Sequence, residues 1–296
     1  MKSKIKIITA MLVFGSIGLF VKNINLSSSE IAFLRGVIGS LFLIMASIIV
    51  GQKPSLKLIK ENILLLFLSG SAIGFNWILL FEAYKYTTIS NATLSYYFAP
   101  LFVIILAPLI LKEKLTPIKV VCVITALIGL FLVVNISGSL NGTYNHIVGI
   151  IYGLTAAVLY ASVILMNKFI KNLTGFETTL VQLIVSAIIL LPYVLIKDNM
   201  NFSGMDLKSV ILVLVLGIIH TGIAYFLYFT SMKELKGQTI AALSYIDPIS
   251  AVIFSTIFLG EGMNTLQIIG GILILSSTYI SEKYDITKEK EELVNT

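Results

Sequence analysis

Apolar residues fill long stretches of this 296-residue chain, and short polar clusters, such as those at residues 52–54 and 197–199, separate the stretches. A helix needs about 20 mostly apolar residues to cross the hydrocarbon core of a bilayer. The pattern predicts an all-α integral membrane protein with ten transmembrane helices. The predicted helices are 5–22, 30–50, 62–83, 91–111, 117–135, 147–167, 177–196, 208–231, 239–259 and 265–281.

The composition agrees with a membrane protein. The chain is 57% hydrophobic and 12% charged, with a mean hydropathy of +0.97, whereas soluble proteins average about 25% charged residues. Too few polar side chains are present to cover soluble domains, and disordered chains are poor in apolar residues. The single cysteine, Cys122, excludes an intramolecular disulfide or a cysteine metal cluster.

The first apolar run follows three lysines and could be read as a secretory signal peptide. No small-x-small cleavage site follows it, and further runs do, so we interpret it as the first helix. The distribution of lysines then orients the chain, because basic residues concentrate in cytoplasmic loops. With a cytoplasmic N-terminus, four lysines lie outside: Lys22, Lys85, Lys197 and Lys208. Sixteen lie inside: Lys2, Lys4, Lys6, Lys53, Lys57, Lys60, Lys112, Lys114, Lys119, Lys168, Lys171, Lys233, Lys236, Lys283, Lys288 and Lys290.

The chain also matches itself at an offset of 148 residues, half its length. The matching pairs are Gly74 with Gly222, Phe81 with Phe229, Lys85 with Lys233, Tyr97 with Tyr245, Pro100 with Pro248, Leu111 with Leu259, and Glu113 with Glu261. The pattern predicts a five-helix repeat at 1–135, a second at 147–281 and a cytoplasmic tail at 282–296. Because five is odd, the second repeat enters the membrane from the opposite side, as in the inverted repeats of secondary transporters.

The motifs around these matches resemble those of a known family. Residues 81–86 (FEAYKY), 99–100 (AP) and 111–116 (LKEKLT) resemble an EamA domain, and residues 247–248 (DP) with 259–261 (LGE) resemble its second copy. The chain is therefore similar, over about 5–281, to EamA-domain transporters of the drug/metabolite transporter superfamily. The resemblance implies ten helices and a central cavity lined by the first, third, fourth, sixth, eighth and ninth. It does not specify the substrate, because similar members carry amino acids, organic cations or nucleotide sugars.

Ionisable residues within the predicted spans are candidates for the transport pathway, because they are costly in a bilayer. Asp247 lies near the middle of the ninth span, where the first repeat has Ala99. It is a candidate for binding a substrate ammonium or a coupling proton. The structural alternatives are a bond from a neighbouring tyrosine and the capping of a broken helix. His220, where the first repeat has Ala72, is a candidate for coupling or gating, or a neutral histidine donating to a backbone carbonyl. Glu82 is a candidate gate or an ion-pair partner of Lys85.

Aromatic and amide side chains form the second group of candidates. With Asp247, the predicted substrate-binding residues are Asn76, Trp77, Tyr96, Tyr97, Tyr225 and Tyr245. Aromatic faces attract organic cations by up to about 2 kcal/mol per desolvated contact. Tyrosines at membrane interfaces are the ordinary alternative, which fits mid-span Tyr225 and Tyr245 poorly.

Other polar and small residues receive structural interpretations. Arg35, the only arginine, is expected to extend outward or to pair with Glu30. Glu113 and Glu261 are expected to anchor helix ends. Gly70 and Gly74, four residues apart, are expected to allow a close approach between helices.

The sequence contains no phosphate-binding glycine loop and no H-E-x-x-H or G-x-S-x-G motif. We therefore expect no enzymatic activity, cofactor, metal or nucleic-acid partner. The leading expectation is export of amino acids or similar small polar metabolites across the cell membrane. A carrier of amines or quaternary cations is the alternative within transport, and a membrane scaffold or sensor the alternative outside it. The expected partners are the substrate, membrane lipids and a second copy of the chain.

The first prediction concerns orientation. Reporter tags fused at Met1 and at Thr296 should both be cytoplasmic in intact cells, because sixteen lysines lie on that side and four on the other. Detection of either tag outside the cell would contradict the ten-helix arrangement.

Overall fold

The computed structural model describes residues 2–51, 54–112, 116–137, 145–198, 205–232, 235 and 237–294. In these ranges the chain is all-helical, with fourteen α-helices, one π-helical segment and no β-strand. The α-helices are α1 Lys2–Lys22, α2 Ser28–Val50, α3 Leu56–Glu61, α4 Ile63–Tyr86, α5 Ile89–Tyr96, α6 Ala99–Ile110, α7 Pro117–Ser137, α8 His146–Asn167, α9 Gly175–Asp198, α10 Leu207–Val215, α11 Ala224–Met232, α12 Gly237–Ser244, α13 Ile246–Leu259 and α14 Thr265–Val294. The π-helical segment, Leu216–Ile223, joins α10 to α11.

Seven helical stretches of the described chain are long and apolar enough to cross a bilayer. They are Lys2–Lys22, Ser28–Val50, Ile63–Tyr86, Ile89–Ile110, His146–Asn167, Gly175–Asp198 and Leu207–Ser231. Three shorter apolar helices lie at Pro117–Val133, Ile246–Leu259 and Thr265–Ser281. The predicted all-α, multi-pass character is confirmed, whereas the number of ten crossings stays a prediction.

Two of the predicted spans are interrupted. The run 91–111 breaks between α5 and α6 at Tyr97 and Phe98, and the run 239–259 breaks between α12 and α13 at Tyr245. A proline follows each break within the first turn of the next helix, Pro100 in α6 and Pro248 in α13. Proline lacks the N–H that would continue the preceding helix, and a first turn tolerates that loss. The two breaks therefore lie at positions that correspond in the 148-residue repeat.

The π-helical segment redirects side chains in the middle of a third predicted span. Thr221 Oγ1 donates to the carbonyl of Leu216 at 3.0 Å, and His220 Nδ1 donates to the carbonyl of Val215 at 3.2 Å. Both acceptors are five residues back, the spacing that a π-helix creates. The wider turn places Thr221 beside Arg35 of α2 and His220 beside Ser16 of α1.

The ends of α2 carry strong local signals. Ser27 caps its first turn by accepting from the Glu30 N–H at 3.1 Å, while Glu30 Oε2 accepts from the Ser27 N–H at 2.9 Å, which completes a capping box. Gly51 ends the helix in the left-handed conformation, at φ 72°. Glu30 therefore serves the helix end, and the expected pairing with Arg35 is wrong.

One carboxylate links three helices at one end of the bundle. Glu261, just after α13, forms an ion pair with Lys22 at the end of α1. Its Oε2 also accepts from the backbone N–H of Ile89, the first residue of α5, at 2.8 Å. An anion at a helix N-terminus satisfies a donor that has no partner within the helix. Glu261 thus anchors helix ends as the sequence predicted, while Glu113 lies outside the described residues.

Small residues set the closest contacts between helices. A Cβ placed on Gly70 would lie 2.8 Å from the carbonyl oxygen of Gln182, and one on Gly74 would lie 2.8 Å from Ser186 Oγ, so α4 approaches α9 as expected. Elsewhere in the bundle, α7 packs along α14. There a Cβ on Gly129 would lie 2.6 Å from a carbonyl oxygen of α14. Helices in a bilayer gain stability from such close packing because lipid provides little hydrophobic driving force.

Helix α14 is longer than the predicted span. The sequence predicts a helix that ends at residue 281, followed by a tail, whereas the backbone stays helical to Val294. The added segment is rich in lysine and glutamate, which are good helix formers in water. The polar residues after position 281 thus end the apolar span, but they do not end the helix.

The second prediction concerns the contact between α7 and α14. Gly129→Ala should lower the thermal unfolding midpoint of the purified protein by several degrees, because the added methyl group meets a backbone carbonyl that has little room to move. In a helix without this contact the same change would stabilise by about 1 kcal/mol, so the sign of the shift identifies its cause.

Gly262→Ala, between α13 and α14, is the control, because no atom of the described residues lies within 4 Å of a Cβ built there. It should not lower the midpoint. An equal or higher midpoint for Gly129→Ala would show that the helices separate without cost at this point.

Candidate functional site

A cavity of about 340 Å³ lies inside the helix bundle. Helices α1, α2, α4, α5, α6, α8, α11, α12 and α13 contribute to its wall, which includes every helix that the resemblance implied. Six of the predicted site residues line it: Asn76, Trp77, Tyr96, Tyr97, Tyr225 and Asp247. The volume lies near the lower limit for small-molecule sites, about 300–1,000 Å³.

Asp247 lies in the first turn of α13, directly after the break at Tyr245. The Tyr97 hydroxyl, at the break between α5 and α6, donates to Asp247 Oδ2 at 2.9 Å. The N-terminus of a helix favours a negative charge, and a charge-assisted bond from a hydroxyl adds to that preference. No other hydrogen bond reaches this carboxyl group from the described residues, which leaves Oδ1 available to a ligand in the cavity.

Asn76 connects two helices of the cavity wall. Its Nδ2 donates to the carbonyl of Ala156 in α8 at 2.5 Å, and its Oδ1 accepts a long bond of 3.5 Å from the Tyr96 hydroxyl. Tyr96 also packs against Tyr160 of α8, with ring centroids 5.5 Å apart. Asn76 is 1% exposed, so its main role in this structure is to join α4 to α8 beside the cavity.

Arg35 is a charged cavity residue that the sequence interpretation missed. It does not extend outward: its side chain is buried at 3% exposure and lines the cavity. Its Nε donates to Thr221 Oγ1 at 2.7 Å, and its Cζ lies 4.4 Å from the centroid of the Trp77 ring. Trp77 therefore stacks with a cation of the protein itself. The missed signal was the presence of an ionisable residue within a predicted span, which marks a pathway by default.

Three other predicted residues lie away from the cavity wall, namely Tyr245, Glu82 and His220. Tyr245 turns from the break towards α14, where its ring meets Tyr279 edge-on at 5.5 Å. Glu82 accepts from Lys85 Nζ at 3.3 Å, the ion pair that the sequence favoured. Tyr245 lies two residues before Asp247, yet the two side chains leave the backbone in different directions, which the sequence does not reveal.

His220 lies behind the cavity, between the π-helical segment and α1. A carbonyl oxygen can only accept, so Nδ1 is the donor to Val215, and Nε2 lies 2.9 Å from Ser16 Oγ. The imidazole also packs against Phe20, with ring centroids 4.6 Å apart. The bond to a backbone carbonyl is the structural alternative that the sequence analysis kept open for this histidine.

Comparison with known proteins identifies the family. The sequence profile of the EamA-like transporter family matches residues 1–135 and 147–282. The chain belongs to this family. Because it is a family of transporters within the drug/metabolite transporter superfamily, the protein is a multi-pass membrane transporter and not an enzyme, and a scaffold or sensor role is no longer needed to explain it.

Individual relatives agree with the family assignment. An uncharacterised transporter of Bacillus subtilis is 34% identical over 272 residues, which cover 92% of this chain and 86% of that protein. A Salmonella typhimurium protein named a probable amino-acid metabolite efflux pump is 25% identical over 189 residues, covering 61% of this chain and 62% of its own. A solved crystal structure at 19% identity superimposes with a TM-score of 0.64 over 95% of both chains, which supports the fold.

The third prediction tests the bond between Tyr97 and Asp247. Tyr97→Phe should lower the thermal unfolding midpoint, because a hydrogen bond to a charged group stabilises by about 1.5–3 kcal/mol. In an Asp247→Ala background the same change should have little effect, because the acceptor is gone. Unfolding of the two single variants and the double variant measures this coupling.

Tyr96→Phe is the comparison variant, since the one hydrogen bond of the Tyr96 hydroxyl within the described ranges is the long bond to Asn76. If Tyr97→Phe lowers the unfolding midpoint equally with Asp247 present and in the Asp247→Ala background, the Tyr97 hydroxyl stabilises the protein without Asp247.

Proposed function

We propose that this EamA-family protein is a secondary transporter that exports amino acids or similar small polar metabolites across the cell membrane. It works without ATP, driven by the gradient of the solute or of a coupled ion. The substrate occupies the cavity, and its ammonium group binds Asp247.

The observation that carries the proposal is the incomplete hydrogen bonding of Asp247 in the cavity wall. A carboxylate away from water is costly unless it has partners, and among the described residues Tyr97 supplies the one hydrogen bond, to Oδ2. An ammonium group of a ligand would supply a charge-assisted bond to Oδ1 and neutralise the charge. The relative named a probable amino-acid metabolite efflux pump supports amino acids as the substrate class.

The proposed architecture is ten membrane-spanning helices in two five-helix repeats of opposite orientation. Three observations support it: the family profile matches twice, at 1–135 and 147–282; three shorter apolar helices accompany the seven long ones in the described ranges; and the helix breaks at Tyr97 and Tyr245 are separated by the repeat length. Both termini lie in the cytoplasm, as the lysine distribution indicates. Transport then proceeds by movement of one repeat against the other around the cavity.

A carrier of amines or quaternary cations is the second candidate. The aromatic rings of Tyr97 and Tyr225 in the cavity wall, together with Asp247, favour it. Two observations oppose it. The Trp77 ring already contacts Arg35, and the Arg35 guanidinium is a positive charge that lines the same cavity that the bound cation would occupy. A bound cation without an anionic group would face that charge.

The fourth prediction concerns flux. The purified full-length chain in liposomes should exchange labelled amino acids for unlabelled ones without ATP, because the sequence carries no nucleotide-binding motif. A screen of the twenty common amino acids identifies the substrate. Exchange that requires ATP would contradict a secondary mechanism, and exchange of amines alone would establish the second candidate instead.

Asp247→Asn, which keeps the shape and removes the charge, should weaken substrate binding about tenfold or more. Asp206→Asn is the matched control: Asp206 caps α10 by accepting from the Ser209 N–H at 3.1 Å, and asparagine caps equally well. Trp77→Ala should also weaken binding. Unchanged affinity in folded Asp247→Asn would make Asp247 a structural residue.

A further inference from the structure

The only arginine of the chain is held in a fixed orientation beside the cavity. Its Nε donates to Thr221 Oγ1 at 2.7 Å, and its Cζ lies over the Trp77 ring, 4.4 Å from the ring centroid. The hydrogen bond and the ring contact together hold the group in position. A long side chain held in this way loses little further entropy when it binds a ligand.

The surrounding helices are built to hold this arginine. Thr221 belongs to the π-helical segment and donates its own hydroxyl proton to the Leu216 carbonyl at 3.0 Å, so its oxygen is left to accept from Arg35. A Cβ on Gly39 would lie 2.4 Å from Thr221 Cγ2, so glycine is required there for α2 to approach so closely. Gly39, Thr221 and the π-helical segment thus together hold the Arg35 guanidinium in position.

The two terminal nitrogens of Arg35 are the groups left for a ligand. A guanidinium has five N–H donors, and the described residues accept a hydrogen bond only from Nε. No acidic side chain in the described ranges lies within 4.0 Å to form a salt bridge with it. Arg35 and Asp247 line the same cavity, yet they do not pair with each other. The fork of terminal N–H groups matches the two oxygens of a carboxylate.

We propose that Arg35 binds the substrate carboxylate and makes the transporter selective for zwitterions, an inference that rests on the proposed transport function. A free α-amino acid places its carboxylate on Arg35 and its ammonium on Asp247, and each charge of the cavity is then neutralised. An amine leaves the guanidinium unpaired, and a simple carboxylic acid leaves Asp247 unpaired. Each mismatch keeps a desolvated charge without a partner, which is the most effective basis for rejecting an analogue.

The rest of the wall indicates which side chains the site accepts. Arg35 and Asp247 are the charged residues among the described residues that line the cavity. The other walls include Phe14, Ile73 and Leu80, together with the tyrosines already described. A charged substrate side chain would find no opposite charge there beyond the two that bind the backbone groups. We therefore infer a preference for amino acids with uncharged, apolar or aromatic side chains.

The test compares three matched ligand sets on the purified full-length chain in lipid nanodiscs. The sets are leucine, methionine and phenylalanine, each with its decarboxylated amine and its deaminated acid. Equilibrium binding should favour the amino acid over both analogues by about tenfold or more. If an amino acid binds but its amine binds equally well, the role of Arg35 is overturned while the transport function stands. If none of the twenty common amino acids binds or is transported, the proposed function fails together with this inference.

The variant Arg35→Gln provides a second test of the proposed carboxylate site. It should weaken amino-acid binding about tenfold or more and strengthen binding of the amine, because the repelling charge is gone. The gain for the amine also shows that the variant is folded. Asp206→Asn should change neither affinity. Loss of amino-acid binding with no gain for the amine would make Arg35 a residue that only stabilises the fold.

Thr221→Val keeps the arginine and removes its acceptor, so it provides a test if Arg35→Gln fails to fold. The guanidinium should then lose its fixed orientation, and the preference for the amino acid over its amine should fall several-fold. An unchanged preference in Thr221→Val would show that the orientation seen here does not determine specificity.

Discussion

The arrangement of this bundle depends on one constraint: a polar or charged group inside a membrane must find its partners within the protein. Arg35 shows the constraint most clearly. Its guanidinium is enclosed by α2, α4 and the π-helical segment, which supply Thr221 as an acceptor and Trp77 as a stacking face. A guanidinium in the hydrocarbon core without such partners would cost at least about 2.5–3.5 kcal/mol, so these three elements are held in one relative position.

The same constraint accounts for the irregular backbone. The breaks at Tyr97 and Tyr245 would be costly if they faced lipid, because their freed backbone groups would lack partners. Unwound backbone is tolerated at membrane depth where it lies within protein or beside a cavity, and both breaks lie next to the cavity that Tyr97 and Asp247 line. The break in the second of these spans also places Asp247 in the first turn of a helix, where the backbone dipoles favour its charge.

Close packing of helices makes the cavity small and well defined. A Cβ on Gly15 of α1 would lie 2.6 Å from the carbonyl oxygen of Asp247, so α1 lies directly against the start of α13. Gly39 allows α2 to meet the π-helical segment in the same way. The small residues thus set the distance between the walls, while the polar residues set what the walls recognise. Membership in the EamA-like family places this geometry in a transporter.

The features that depend on length and composition could be predicted from the amino-acid sequence. The thickness of the hydrocarbon core fixes how long an apolar run must be, so the helical, multi-pass character could be predicted without a structure. Motifs at the ends of the spans were enough to indicate the family. Six cavity residues, among them Asn76, Trp77 and Asp247, could be named as candidates because polar and aromatic groups are uncommon in mid-span.

The direction in which each side chain faces, and the partners that it meets, depend on the packing of distant helices. The acceptor for Arg35 is Thr221, 186 residues further along the chain. The sequence around Arg35 equally allowed a side chain that extends outward, and Tyr245 could have faced the cavity as well as α14. The rotation of an apolar helix about its axis is set by packing against distant helices, because its own sequence is apolar on nearly every face.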